Sequence, residues 1–509
     1  MKLNYKRTVF VGFAFFLIYA FWQAYDNTIP LILTNKFGLS QTFSGIIMAL
    51  DNILALFMLP LFGAISDKHC SKKYGRRTPF ILIGTIIAAV AFVCLTFADN
   101  TQLKNISAVS AIDDPAALSV IYDSQKDTEL QTPDGVKFVL SEQYGASEFA
   151  KLAEDPSSAD YTNFVVPARQ AYNWQTTTAN PMPLIVFIVL LLITLVAMSV
   201  FRSPAVALMP DVTIKPLRSK ANAVINLMGA AGGIIVLALG IVFATGAVKN
   251  SMMSYTLYFS VIAGIMLLSL LIFMLTVREP KFVKEMQEQS KKYGIDETDD
   301  DGSGDRKLSK PEFRSLLFLL ASIVFWFMGY NAVTSKYSVY ASNILHKDYN
   351  MTLILAQAAA IVSYLPVGII SSKTGRKKAI LAGIVMLTAA FGIAAFLTES
   401  SPTLVMNIMF CLAGIGWATI NVNSFPMVVE MSRGSDVGKY TGIYYTASMA
   451  AQTVTPMLSG LLMDKLGMRT LFPYAAVFVA LAFVTMLFVM HGDNKPTAKT
   501  GLEAFDVED

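Results

Sequence analysis

The sequence predicts an all-α membrane protein: twelve transmembrane helices in two six-helix bundles, with both termini on one side. Three observations predict it. The 509 residues are 54% hydrophobic and only 15% charged, with a mean hydropathy of +0.53, whereas a soluble chain carries about 25% charge. Apolar runs of about 20 residues recur, each able to cross a hydrocarbon core about 30 Å thick at 1.5 Å per residue. Finally, one turn sequence occurs twice. Leu59-Pro60-Leu61-Phe62-Gly63-Ala64-Ile65-Ser66-Asp67, then Gly75-Arg76-Arg77, is echoed by Leu365-Pro366-Val367-Gly368-Ile369-Ile370-Ser371-Ser372, then Gly375-Arg376-Lys377-Lys378. Each copy closes the second span of its half and makes a basic turn into the third, the signature of an internal duplication.

Taken in order, Lys2, Lys6 and Arg7 precede a first span near 9–33. It outruns a signal peptide and lacks a small-residue cleavage site, so it reads as a retained helix. Spans near 42–66 and 78–98 complete the first part of the N-terminal bundle (1–98). Residues 99–182 form a polar insert with a dozen acids against five bases, too polar for lipid. Spans near 183–209, 221–247 and 253–277 finish the bundle. A charged linker, 278–313, leads to the C-terminal bundle (314–491), with spans near 314–335, 351–372, 378–398, 402–428, 437–463 and 470–491. A polar tail, 492–509, closes the chain. Runs this long and apolar are helices, not barrel strands.

Orientation follows lysine and arginine. Lys68, Lys72, Lys73, Arg76 and Arg77 lie between spans two and three. Lys215, Arg218 and Lys220 lie between four and five, and Lys373, Arg376, Lys377 and Lys378 between eight and nine. All fall on the side of the termini, which is expected to be cytoplasmic, in a cell membrane, with the acidic insert outside. The Asp299-Asp300-Asp301-Gly302 run fails as a calcium loop, because the twelfth position is Leu308 and not glutamate. Cys70, Cys94 and Cys411 are scattered and give neither metal spacing nor a disulfide framework. His69, His346 and His491 form no cluster with acids or cysteines, so catalysis, bound cofactors and metals are not expected.

The Gly63-x-x-x-Asp67 run leading to Gly75-Arg76-Arg77 resembles the signature of the major facilitator superfamily, and its echo at Gly375-Arg376 strengthens the likeness. Ser203-Pro204-Ala205-Val206-Ala207-Leu208-Met209-Pro210-Asp211, Ala221-Asn222-Ala223, Gly232-Gly233 and Gly75-Arg76-Arg77-Thr78-Pro79-Phe80 resemble the sucrose-transporter branch, near the glycoside-pentoside-hexuronide cation symporters. The resemblance spans the membrane portion but not 99–182. It implies the major facilitator fold and a cytoplasmic gate of Gly63, Asp67, Gly75, Arg76, Arg77, Asp211, Arg218, Gly375 and Arg376, with Glu430 and Arg433 as the second-half counterpart. Carboxylates and guanidinium groups at helix ends pair readily and complement the helix dipoles. Two departures stand out. The resembled sucrose transporters carry an arginine where this chain has Val206 and an acid where it has Leu195. The melibiose-type members carry carboxylates where it has Ala55 and Leu59. Neither coupling site is present.

Other acids must then do any coupling. Asp26 and Asp51 lie about 12 and 15 Å from the outer ends of spans one and two at 1.5 Å per residue. A charge at such depth usually faces a cavity, and two carboxylates at one level can share or relay a proton. Arg202, in span four, is the cation within reach. Sugars need hydrogen-bonding side chains and flat aromatic faces. The spans offer Trp22, Gln23, Tyr25, Asn27, Asn52, Asn222, Asn226, Trp326, Tyr330, Asn331, Gln357, Trp417, Asn421, Tyr444 and Gln452, with Tyr364, Asn423 and Tyr445 nearby. Gln23 and Asn27, Asn222 and Asn226, and Trp417 and Asn421 are each four apart and share a helix face. Lys336, ending span seven, is expected at the interface. The expectation is a monomeric alternating-access transporter of a sugar or glycoside, driven by protons, with lipid and substrate as its partners and no nucleic acid. A uniporter or exporter of another small molecule is the rival, and a polytopic receptor or enzyme the alternative of a different class.

Overall fold

The computed structural model describes residues 3–69, 71–214, 217–294, 309–429, 431 and 437–492. Twelve long helices dominate: α1 (Tyr5–Leu31), α2 (Gln41–Lys68), α3 (Thr78–Asn105), α4 (Met182–Val212), α5 (Arg218–Val242), α6 (Thr256–Thr276), α7 (Lys310–Asn343), α8 (Tyr349–Thr374), α9 (Arg376–Ala394), α10 (Thr403–Val429), α11 (Val437–Leu466) and α12 (Leu471–Leu487). Eleven are long and apolar enough to cross a membrane among the described residues. The remaining one is α11, whose Thr446, Ser448, Gln452 and Thr455 lower its hydropathy. It spans 30 residues beside α2.

The packing shows the duplication. α1 lies on α5, α3 on α4, α2 on α4, and α1 and α3 on α6. Adding six to each label gives the C-terminal half: α7 lies on α11, α9 on α10, α8 on α10, and α7 and α9 on α12. Each half has its own apolar core, one around Phe21, Phe92 and Phe259, the other around Trp326, Tyr337 and Phe472. The halves meet along α2–α11, α5–α8 and α1–α7.

α1 does not stop at the apolar run. It continues as a π-helical turn over Ile32–Lys36, and α3 runs on to Asn105, so Asp99 lies inside a helix rather than opening the polar insert. The extensions bring Lys36 to Asp99 at 2.6 Å, with both side chains fully buried. Lys36 also donates to the Met253 carbonyl at 2.7 Å.

Residues 106–181 form a compact cap on one face. It contains helices Pro115–Gln125, Ala146–Lys151 and Val166–Ala179 and an antiparallel hairpin, β1 (Glu129–Gln131) with β2 (Lys137–Val139). Ile106, Leu118, Ile121, Phe138, Phe149 and Val165 give it a core of its own. Gln170, Asn173 and Thr177 bond the carbonyls of Leu39, Asn35 and Phe37 and moor it to the N-terminal half. On the opposite, terminal face, the charged linker forms a helix, Glu279–Tyr293. Arg7 holds it, bonding Glu285 at 3.1 Å and the Phe282 carbonyl at 2.8 Å.

Candidate functional site

Between the halves lies a cavity with two connected lobes of about 320 and 400 Å³. They share Trp22, Asp26, Tyr330, Asn331, Thr334 and Trp417. The first lobe adds Asp51, Asn52 and Arg202 from the N-terminal half and Asn421, Tyr444, Tyr445 and Gln452 from the C-terminal half. The second adds Gln23, Asn27, Gln357 and Tyr364.

One wall is polar and charged. Asp26 and Asp51 reach the same lobe from neighbouring helices, as their similar depths require. Asn52 Nδ2 donates to Asp51 Oδ1 at 2.8 Å. The Arg202 guanidinium lies 5.6 Å from the Trp22 ring centre, in cation–π range. Among the described residues neither acid makes an ion pair with Arg202 within 4.0 Å. The two acids and the cation thus share the lobe without a direct ion pair, Asp51 being held by Asn52. The opposite wall is aromatic. Tyr330 and Trp417 stack with ring centres 3.8 Å apart and planes 6° from parallel, and Phe327 meets Trp417 edge-on at 5.2 Å. Gly233 opens the second lobe between Gln23 and Gln357, since a Cβ there would sit 3.3 and 3.2 Å from their side-chain ends.

Four of the expected ligand groups, and the nearby Asn423, lie elsewhere. Trp326 is fully buried in the C-terminal core, because α7 turns that face onto α12. Tyr25 packs behind the wall against Phe21 and Trp22, its hydroxyl directed at the Met48 carbonyl at 3.5 Å. Asn222 and Asn226 line neither lobe. Lys336 is not interfacial: α7 runs seven residues beyond it, and the buried amine donates to the Gln41 carbonyl at 2.7 Å.

The cavity is sealed toward the cap. The Asp464 carboxylate accepts the backbone N–H groups of Gln41 and Thr42 at 2.8 and 2.7 Å and the Thr42 hydroxyl at 2.5 Å, so α11 caps α2 across the halves. Gly45 lies directly on the Pro456 carbonyl. Asn343 bonds Asn35 at 2.5 Å, and Asn350 bonds Thr245 at 3.0 Å. Toward the terminal face α2 loses its packing. Its buried residues Gln41, Ser44, Gly45, Ile47, Met48 and Ala49 all precede Asp51, and beyond it only Ala55 and Ser66 are buried among the described residues.

The expected gate residues converge at the terminal ends of α2, α3 and α4. Arg77 reaches Asp67 at 2.5 Å, Asp211 at 2.8 Å and the Ser66 hydroxyl at 2.6 Å. Burial pushes its guanidinium down, but Asp211 and Asp67 more than offset this and hold it above the ordinary range. Gly75 needs a positive φ of 86°, and a Cβ there would strike Glu279. Arg76 is exposed, Arg218 Nε donates to the Thr213 carbonyl at 3.2 Å, and Gly63 lies against Ser203. Gly375 turns at φ 95° ahead of Arg376 at the matching corner. Glu430 and Arg433 lie outside the described residues. Sequence reading missed Glu279. Its carboxylate accepts the backbone N–H groups of Arg76, Arg77 and Thr78 at 2.6, 3.0 and 2.8 Å, capping α3. Nothing in the order of residues pairs it with a helix two hundred positions upstream. Lys36 with Asp99 did leave a signal, opposite charges at the ends of two apolar runs.

The model of the Major Facilitator Superfamily matches residues 11–112, 174–424 and 346–506, and so passes over most of the cap. The chain is similar to the sucrose transport protein SUC3 of Arabidopsis thaliana, 42% identical over 60 residues, which are 12% of this chain and 10% of that one. It is similar to the MFS-type transporter ppzB of Metarhizium rileyi (strain RCEF 4871), 25% identical over 166 residues, 32% and 33% of the two chains. The chain thus spans about a tenth and a third of these relatives' lengths. It superposes on a D-xylose-proton symporter with a TM-score of 0.55 at 16% identity, covering 96% of this chain and 98% of that one. On the nucleoside transporter NupG the TM-score is 0.53 at 13% identity, covering 96% and 99%. At such identities the likeness is one of fold.

Proposed function

The chain belongs to the Major Facilitator Superfamily, a family of membrane transporters rather than enzymes, and from that premise we propose that it carries a sugar or glycoside, of disaccharide size, together with a proton. The observation that carries this reading is the central cavity, where a charged, amide-bearing wall with Asp26, Asp51, Asn52 and Arg202 faces the stacked Tyr330–Trp417 pair. Hydroxyls engage the first wall, and the C–H face of a pyranose stacks on the second. The likeness to a sucrose transport protein and to a D-xylose-proton symporter supports the class.

In this mechanism the terminal face is cytoplasmic, as the basic loops indicate, and the cap is extracellular at the cell membrane. The structure then represents the state closed outside, and the monomer works by rocking its halves about the cavity. A proton on Asp26 or Asp51 changes the charge beside Arg202 and so changes the affinity for substrate between the two states. Uptake of labelled disaccharides and monosaccharides into proteoliposomes, with and without an inward proton gradient, tests the proposal. We expect gradient-driven accumulation of a disaccharide, with accumulation lost but exchange retained in Asp26→Asn or Asp51→Asn. Equilibration without accumulation points to a uniporter, and absence of sugar flux removes the substrate class.

A further inference from the structure

Away from the central cavity, a second and smaller one lies where the cap meets both halves. It holds about 30 Å³, room for a water or two or for one halide-sized ion. Asn35 enters it from the end of α1, Arg169 from the cap helix Val166–Ala179, and Ser342 and Asn343 from the end of α7. Arg169 is only 4% exposed. It gives one Nη to the Tyr161 hydroxyl at 2.7 Å and the other to the Ala111 carbonyl at 3.5 Å, while its Nε has no partner. Among the described residues no carboxylate pairs with it. Asp113, in the same part of the cap, pairs with Lys249 at 3.5 Å. Asn35, 7% exposed, uses Oδ1 to accept from Asn343, and its Nδ2 is left without a partner. The Ser342 hydroxyl, 2% exposed, has none either.

A buried cation without a counter-charge is costly, and so is each buried donor without an acceptor. Here the residues that carry the cation and the stranded donors line one void, and Nε and Nδ2 can only donate. We propose that this junction binds a small monovalent anion of halide size. The anion neutralises Arg169 and accepts from Arg169 Nε, Asn35 Nδ2 and the Ser342 hydroxyl. Because the three groups come from the cap and from both halves, the site is complete only while this face is closed, and the bound anion stabilises the closed state.

The test uses the purified full-length protein. Its apparent melting temperature is compared in sodium bromide and sodium gluconate at equal ionic strength, gluconate being too large for the void, and crystals soaked in bromide are inspected for anomalous density. We expect a bromide peak against Arg169 and Asn35 and a higher melting temperature in bromide. Bromide affinity should weaken about tenfold or more in Arg169→Gln, as loss of a charged partner implies, and by a smaller factor in Ser342→Ala, which serves if the arginine variant does not fold. Ordered water alone at the junction, or an undiminished bromide effect in the variant that folds, overturns the proposal.

Discussion

At the scale of single residues, one ion pair among the described residues is taken wholly out of water. Lys36 and Asp99 face each other at 2.6 Å with no exposure. Removing one leaves the other stranded, which costs about 3–5 kcal/mol, whereas replacing both with apolar groups is far milder. Lys36→Met should therefore lower the melting temperature sharply in detergent, and Lys36→Met combined with Asp99→Leu should recover most of the loss. The Arg77 cluster behaves differently because its acids differ in exposure. Asp67 is 58% exposed, and Arg77 keeps Asp211 and Ser66 without it. Asp67→Ala should leave folding nearly unchanged and still slow transport, since the end of α2 loses its ion pair to Arg77 and keeps only the Ser66 hydrogen bond. Wild-type turnover in that variant would show the pair to have no part in gating.

At the scale of elements, the cap acts as a clasp. It is moored to the N-terminal half through Gln170, Asn173 and Thr177. Its hairpin tip rests on the turn between α11 and α12, where Arg469 N–H donates to the Pro133 carbonyl at 3.1 Å and Arg469 lies 3.0 Å from Asp134. Opening of this face must break those contacts. The ion pair is half exposed and worth under about 1 kcal/mol, so Asp134→Ala should loosen the tip modestly, broadening the distance between spin labels at positions 136 and 466. His346 adds a dependence on pH. It bonds Thr162 of the cap, with Asp155 of the cap, Glu399 and Lys347 as its charged neighbours. Burial pushes its imidazole below the usual value, and Lys347 adds to this against the pull of Glu399, Asp155 and the Ser342 backbone. A proton therefore prefers the open state. The contact is fully favourable above the ordinary histidine range near pH ~6.5 and weakens as pH falls below it. The same label pair should separate between pH 7.5 and 5, and His346→Gln should abolish the change.

At the scale of the whole molecule, closure depends on backbones in contact. Gly45 lies on the Pro456 carbonyl and Gly460 on the Gln41 carbonyl, an approach that only a residue without Cβ permits. Gly45→Val should hold the cap face ajar. The protein would remain folded, transport would fall by an order of magnitude or more, and a cysteine at Met48 would become reactive to a polar thiol reagent added from the cap side. A wild-type labelling rate there would mean that α2 and α11 part without this contact. In the proposed mechanism the two lobes, the sealed cap-side end and the unpacked terminal half of α2 together make up one end state of the rocking cycle.

Composition, hydropathy and the repeated turn determined the twelve helices, the duplication and the level of Asp26 and Asp51, because in lipid each span must satisfy its own backbone and its length is dictated by the bilayer. Spacing along one helix likewise placed Gln23 with Asn27 and Trp417 with Asn421. Tertiary structure decided what depends on rotation and on distant partners. Trp326 and Tyr25 turned into cores although their residue types suit a sugar, since hydropathy does not report which face of an apolar helix meets its neighbour. Lys336, Asp464, Glu279 and the Lys36–Asp99 pair found partners up to hundreds of residues away, and only the assembled bundle brings such groups within hydrogen-bond reach.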